Sequence, residues 1–132
     1  MKNFSLSRNE RVRGKKHFDR VFHNGKILIS FDFLLKSVFL FEYNSSDCGI
    51  KIAAAVSKKA GKAVWRNRIK RLIKESYRLN KNEAVNKAKK KIVRVTIVFS
   101  PNRLNEDKFK KVKLSDISPG VVELIGKISQ LI

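Results

Sequence analysis

The chain has 132 residues, the size of one ordinary domain, and its 31 Lys and Arg against 11 Asp and Glu give 31 − 11 = +20 at pH 7. With 42% hydrophobic residues and nine Phe, a core can form and wholesale disorder is excluded, so the surface must carry the excess charge beside a polyanion. The longest apolar runs, Val38–Phe41 and Ile52–Val56, fall far short of the ~20 residues of a membrane helix, which leaves nucleic acid as the polyanion.

In chain order, residues 1–12 are basic and expected to be flexible, without the apolar core of a signal peptide. Phe18, Val21 and Phe22 at i, i+3, i+4, followed by Asn24-Gly25, predict a short amphipathic helix over 15–23. Residues 31–41 predict a Phe-rich strand: Phe31, Phe33, Leu35, Phe39 and Phe41 form one apolar face, and Asp32, Leu34, Lys36, Val38 and Leu40 a half-apolar one. Turn residues over 44–49 lead to a second strand over 50–57, and the two suggest an antiparallel hairpin. Cys48, the single cysteine, can form no intramolecular disulfide and is read as a bystander in the turn. The clearest helix spans 62–79, with Trp65, Ile69, Leu72, Ile73, Ser76 and Tyr77 on one face and Asn67, Lys70, Arg71, Lys74 and Arg78 on the other. Val93, Val95, Ile97 and Phe99 alternate along a strand over 92–99, whose other face carries Arg94 and Thr96. A polar loop fills 102–117, and Ser118-Pro119 is expected to cap a C-terminal helix. The sum is a single α+β domain over 1–132, a two-layer sandwich in the order helix, strands, helix, strand, helix. Its mixed sheet has a βαβ crossover built from 50–57, 62–79 and 92–99; strand twist alone would make that crossover right-handed.

The charge is blocked along the chain. It gathers in 1–26, in 57–78 with Glu75 as the sole acid, and in 87–94 with none. Such blocks are the footprint of a shaped nucleic-acid surface. In the middle block a strand ends at a basic loop and a helix begins near Gly61, where backbone N–H groups and the helix dipole favour phosphate. Arg66 and Arg68 can present planar forks to phosphate oxygens, and Asn67 can donate to a phosphate or a 2′-hydroxyl. Only Arg71 and Glu75 offer an i, i+4 pair, so most of this charge is uncompensated. A nucleotide-binding P-loop is excluded, because Val56 stands where its first Gly belongs and Ala63 follows Lys62.

Ser57-Lys-Lys-Ala-Gly-Lys-Ala-Val-Trp-Arg-Asn-Arg-Ile-Lys-Arg-Leu-Ile-Lys-Glu75 resembles the signature of bacterial ribonuclease P proteins, an Arg-Asn-Arg core after Lys-Lys-x-Gly-x-Ala-Val and before a Lys-Arg pair. Phe18-Asp-Arg-Val-Phe22 with Gly25 is similar to the family's first helix, and the likeness runs over roughly residues 8–100. The resemblance implies a fold like a domain of ribosomal protein S five, with a left-handed crossover. It implies a partner, a large catalytic RNA, with which the protein removes the 5′ leader of precursor tRNA by hydrolysis. The RNA does the chemistry with Mg²⁺, held mainly by the RNA, while the protein binds RNA and leader. By the resemblance, Lys58, Lys59, Lys62, Arg66, Asn67, Arg68, Lys70, Arg71 and Lys74 would contact the catalytic RNA. The leader would lie in a cleft lined by Phe18, Phe22, Leu34, Lys36, Arg94 and Thr96. Lys36 stands where the family often has an aromatic, which suggests a phosphate contact in place of stacking.

No catalytic constellation stands out within the chain. His17 and His23, six apart, point about 240° from each other on a helix, read as surface histidines and cannot share a metal. The expectation is therefore no catalytic residue, no protein metal site, no membrane, no stable protein partner and a cytoplasmic setting. The alternative is a non-catalytic RNA-binding protein of the ribosome or its assembly.

Overall fold

A computed structural model describes residues 11–12, 14–43 and 47–132. Helix α1 (Lys15–Asn24) forms where the spacing predicts and buries Val21 completely. Gly25 ends it for reasons of space: a Cβ there would meet the carbonyl oxygens of Val21 and Phe39 as the chain turns into strand β1 (Lys26–Ile29). β1 pairs antiparallel with β2 (Leu35–Tyr43) across a turn at 30–34.

That turn corrects the expected strand over 31–41. The Asp32 carboxylate accepts hydrogen bonds from Ser30 Oγ at 2.6 Å and from the Leu34 N–H at 3.0 Å, and Phe33 takes φ 62°. Local side-chain bonding thus overrides the strand preference of the phenylalanines. Phe31 and Phe33 are exposed instead of forming core. From Leu35 onward the expected alternation holds. Leu35 and Phe39 enter the main core, while Val38 faces α1.

Strand β3 (Gly49–Ala54) does not form a hairpin with β2. It pairs in parallel with β4 (Val93–Pro101), which pairs antiparallel with β2, giving the sheet order β1-β2-β4-β3. The reason lies in β4, where Val93 and the run from Val95 to Phe99 are buried on both faces. A strand with no solvent face takes the centre of a sheet, and here it inserts between β2 and β3. Two helices make the crossover, α2 (Ala63–Asn80) and α3 (Asn82–Lys90). The second was unforeseen, since the lysines of the 87–94 block mask a small buried stripe, Ala84 and Ala88.

Helix α4 (Leu114–Leu131) starts before the expected Ser118-Pro119 cap, and Pro119 lies inside it. The Lys113 N–H donates to Asp116 Oδ2 at 2.8 Å, a start that allows Ile117 to be buried. α2, α3 and α4 pack with Ile52, Ile97, Phe99 and their neighbours on one face of the sheet. α1 covers part of the other, over Val38, Ala53 and Val98. The α+β architecture with a mixed sheet is as read from the sequence. The N-terminal expectation falls mostly outside the described residues, but Arg11 bridges to Ile52 and Val12 is buried. Residues 44–46 of the expected turn also lie outside the described residues.

Candidate nucleic-acid interface

α2 is one-sided in the way its spacing predicts. Trp65, Ile69, Ile73, Ser76 and Tyr77 are buried, and Asn67, Arg68, Arg71 and Lys74 are exposed. The cations nevertheless do not form one uniform surface. Asn67, Lys70, Arg71 and Lys74 line a shallow depression of about 530 Å³ together with Arg11, Glu75 and Arg78. Glu75 pairs with Arg78 rather than with Arg71, and that contact holds the Glu75 carboxyl below its ordinary range. Arg66 and Arg68 flank the depression and bond to the protein itself. Arg66 Nε donates to the Gly61 carbonyl at 3.1 Å, and Arg68 donates through Nε and Nη2 to the Val112 carbonyl at 2.9 and 2.7 Å.

The expected phosphate seat at the start of α2 is filled from within. The Lys62 N–H, at the N-cap, donates to Glu106 Oε1 at 2.7 Å, and the Glu106 N–H donates to the Ala60 carbonyl at 2.8 Å. Trp65 Nε1 donates to the Phe109 carbonyl at 2.9 Å. Segment 102–113 is therefore a splint along α2, fixed also by buried Leu104 and Val112, where the sequence suggested only a polar loop. Gly61 permits this approach, because a Cβ would lie 2.7 Å from Trp65 and 2.8 Å from Glu106. Lys58 and Lys59, on a 3-10 turn at Lys58–Ala60, stay exposed beside it, as does Lys62.

On the α1 face of the sheet, a cleft of about 490 Å³ opens where α1 stops. Its floor is the cross-strand pair of Lys36 and Ser100, with Ala55 and Val56 at the end of β3. Phe22 forms one wall and Lys59, Asn102, Leu104 and Asn105 line the rest, so two cations and several amide and hydroxyl groups face it with no acid among the lining residues. Phe18 and Phe22 stack with centroids 6.5 Å apart, but their roles divide. Phe18 packs against Val21, Val38 and Val98, whereas Phe22 is half exposed in the cleft. Ile27 and Ile29, missed because β1 was missed, pair with Val38 and Lys36 and are exposed on this same face. The lining polar groups on 100–105 were also missed; Pro101 and the asparagines after it signalled only a strand end.

Four residues expected in the cleft do not line it: Phe18, packed behind Phe22, and three more. Leu34 belongs to the 30–34 turn and packs against the main core. Thr96 is fully buried, and its hydroxyl meets His17 Nε2 at 3.3 Å. Arg94 bonds both Glu42 carboxylate oxygens at 2.8 Å, and Arg20 shares Oε1 at 3.0 Å. These groups pin α1 to the sheet. His17 is thus not a plain surface histidine: burial, with Arg20 and Arg94 nearby, pulls its pKa below the usual value.

Among the described residues no three His, Cys, Asp or Glu side chains gather into a group that could hold a metal ion. No helix among them is long and apolar enough to cross a membrane.

Known proteins share this plan. A relative from Clostridium botulinum (strain Langeland), named ribonuclease P protein component, is 34% identical over 121 residues, 91% of this chain and 95% of its own. A relative of the same name from Petrotoga mobilis is 33% identical over 128 residues, 97% of this chain and 98% of its own. The solved RNase P protein of Staphylococcus aureus superposes with a TM-score of 0.66 at 21% identity, over 92% of this chain and 95% of that one. The family model for ribonuclease P matches residues 6–115, and the chain belongs to the ribonuclease P protein family.

Proposed function

We propose that this protein binds a catalytic RNA through the outer face of α2 and holds the single-stranded 5′ leader of precursor tRNA in the cleft beside α1. The reading rests on family membership and on one observation: a single small domain carries two separate cation-bearing surfaces of different character. The α2 depression offers Lys70, Arg71, Lys74 and Asn67 with no hydrophobic residue among its lining, which suits the phosphates and 2′-hydroxyls of folded RNA. Lys58 and Lys62 extend it past the helix start, and Lys59 stands on the border, where it lines the cleft. Arg66 keeps Nη1 and Nη2 for phosphate, and Arg68 keeps Nη1.

The cleft combines the Phe22 ring with Lys36 and Lys59, the pairing of stacking surface and cation that a single strand needs. Phe18 supports Phe22 from behind. Leu34, Thr96 and Arg94 shape the cleft's surroundings without lining it. Hydrolysis belongs to the RNA, with Mg²⁺ held mainly there, and the substrate sets the work in the cytoplasm. The test is cleavage of the 5′ leader from precursor tRNA by the cognate catalytic RNA at low Mg²⁺, with and without the protein. The expected result is a large gain in cleavage and in substrate affinity. A protein that binds ribosomal RNA but gives no gain in cleavage is an assembly factor, and the proposal fails.

A further inference from the structure

The turn at 30–34 carries a feature outside both surfaces. The Arg103 guanidinium lies over the Phe33 ring, its central carbon 5.0 Å from the ring centroid. Phe33 adopts φ 62°, a conformation that bulky residues avoid. It is held there on every side: its N–H donates to the Ser30 carbonyl at 2.9 Å, and its carbonyl accepts from the Arg103 N–H and from Asn102 Nδ2, each at 3.0 Å. The Asn102 N–H donates to the Leu34 carbonyl at 2.7 Å. A strained backbone so firmly fixed is spent on placing a side chain, yet the ring it places is half exposed and contributes little to the core. Arg103 itself sits between Asn102 and Leu104, both of which line the cleft. The ring and the guanidinium therefore form a rigid, flat platform at the cleft's lip. One ring face is covered by a cation and the ring remains half exposed.

The geometry points to a base-stacking subsite at Phe33–Arg103 that takes a leader nucleotide beyond those held in the cleft. This rests on the leader reading above. A base has a π-face for the ring or the guanidinium plane, and the charge of Arg103 suits the adjoining phosphate. The subsite extends the single-stranded track by a nucleotide and makes affinity depend on leader length.

The test measures binding of the reconstituted RNA–protein complex to precursor tRNAs whose leaders are lengthened one nucleotide at a time. Phe33→Gly removes the ring and accepts the φ of 62° without strain, so the fold is retained, as a thermal melt verifies. Phe33→Tyr keeps a stacking ring. Arg103→Gln removes the charge and leaves the turn's backbone bonds intact. In the unsubstituted protein affinity rises with leader length. Phe33→Gly loses the step belonging to one added nucleotide, roughly 5- to 150-fold, and Phe33→Tyr retains it. Arg103→Gln lowers the salt slope of long-leader binding by about 0.7. If the unsubstituted protein shows the length dependence and Phe33→Gly shows the same steps, the subsite is refuted and the cleft stands. An equal loss on long-leader and leaderless substrates also refutes it, because the platform then touches other RNA. If the unsubstituted protein shows no dependence on leader length, the leader reading fails, and the subsite with it.

Discussion

Replacing Lys70, Arg71 and Lys74 together by Gln tests the α2 surface most directly. These three side chains share one depression and one exposed helix face, and none has an acidic partner among the described residues, since Glu75 is paired with Arg78. Gln has nearly the helix propensity of Lys and Arg, so α2 should persist, and removing three charges from a chain of +20 relieves repulsion. Each cation that neutralises a phosphate of duplex-like RNA steepens the salt dependence by about 0.9 in log–log terms, so losing three lowers the slope by about 2.7. Extrapolated from a common high-salt limit, that slope costs about 100-fold in affinity at physiological salt. The assay is equilibrium binding to the catalytic RNA across a salt series, beside a thermal melt. A folded variant with an unchanged slope would refute phosphate contact by this face. Arg68→Ala is a poorer probe, because it also frees the Val112 carbonyl and loosens the 102–113 splint.

The splint makes its own prediction: Glu106→Ala removes the acceptor at the start of α2 and should cost about 1 kcal/mol in chemical denaturation, with a change in Trp65 fluorescence as the chain beside it loosens. Unaltered stability would mean the bond is dispensable. Phe22→Ala should leave stability nearly intact but cost about 1–3 kcal/mol of leader-dependent affinity, whereas Phe18→Ala should lower stability first. The reverse ranking in melts and binding would exchange their roles. His17 has a lowered pKa in the folded chain, so as pH falls through about 6.5 the unfolded chain takes up the proton first and stability drops, levelling once the folded form is protonated too. His17→Gln should flatten the denaturation midpoint between about pH 7.5 and 5, a window above that in which Glu75 and Glu123 act. A slope that survives the substitution assigns the effect elsewhere.

What was legible in the sequence was periodic or chemically distinctive. α1 and α2 announce themselves by apolar spacing, and the inner face of β4 by alternation. What escaped depends on partners remote in sequence or on short-range bonding that competes with propensity. Nothing within 31–41 says that Ser30 and Asp32 will bond each other and make a turn of it, yet that bond moves two phenylalanines from core to surface and creates β1. Nothing near 50–57 says that β3 will pair with a strand forty residues on; the clue was in β4, whose apolar residues leave it no solvent face. The same distinction governs the site. Lys36 came to the cleft through the family resemblance, on a face that alternation leaves half apolar, and it does floor the cleft. Arg94 and Thr96 interrupt the next strand in the same manner, but α1 crosses that end of the sheet, where its His17 engages Thr96 and its Arg20 shares the cross-strand Glu42 with Arg94. Alternation assigns a residue to a face, and the end of α1 at Gly25 decides which part of that face stays open. The position of that helix end, fixed by the close approach of Phe39, is what separates a binding groove from a structural network on one sheet surface.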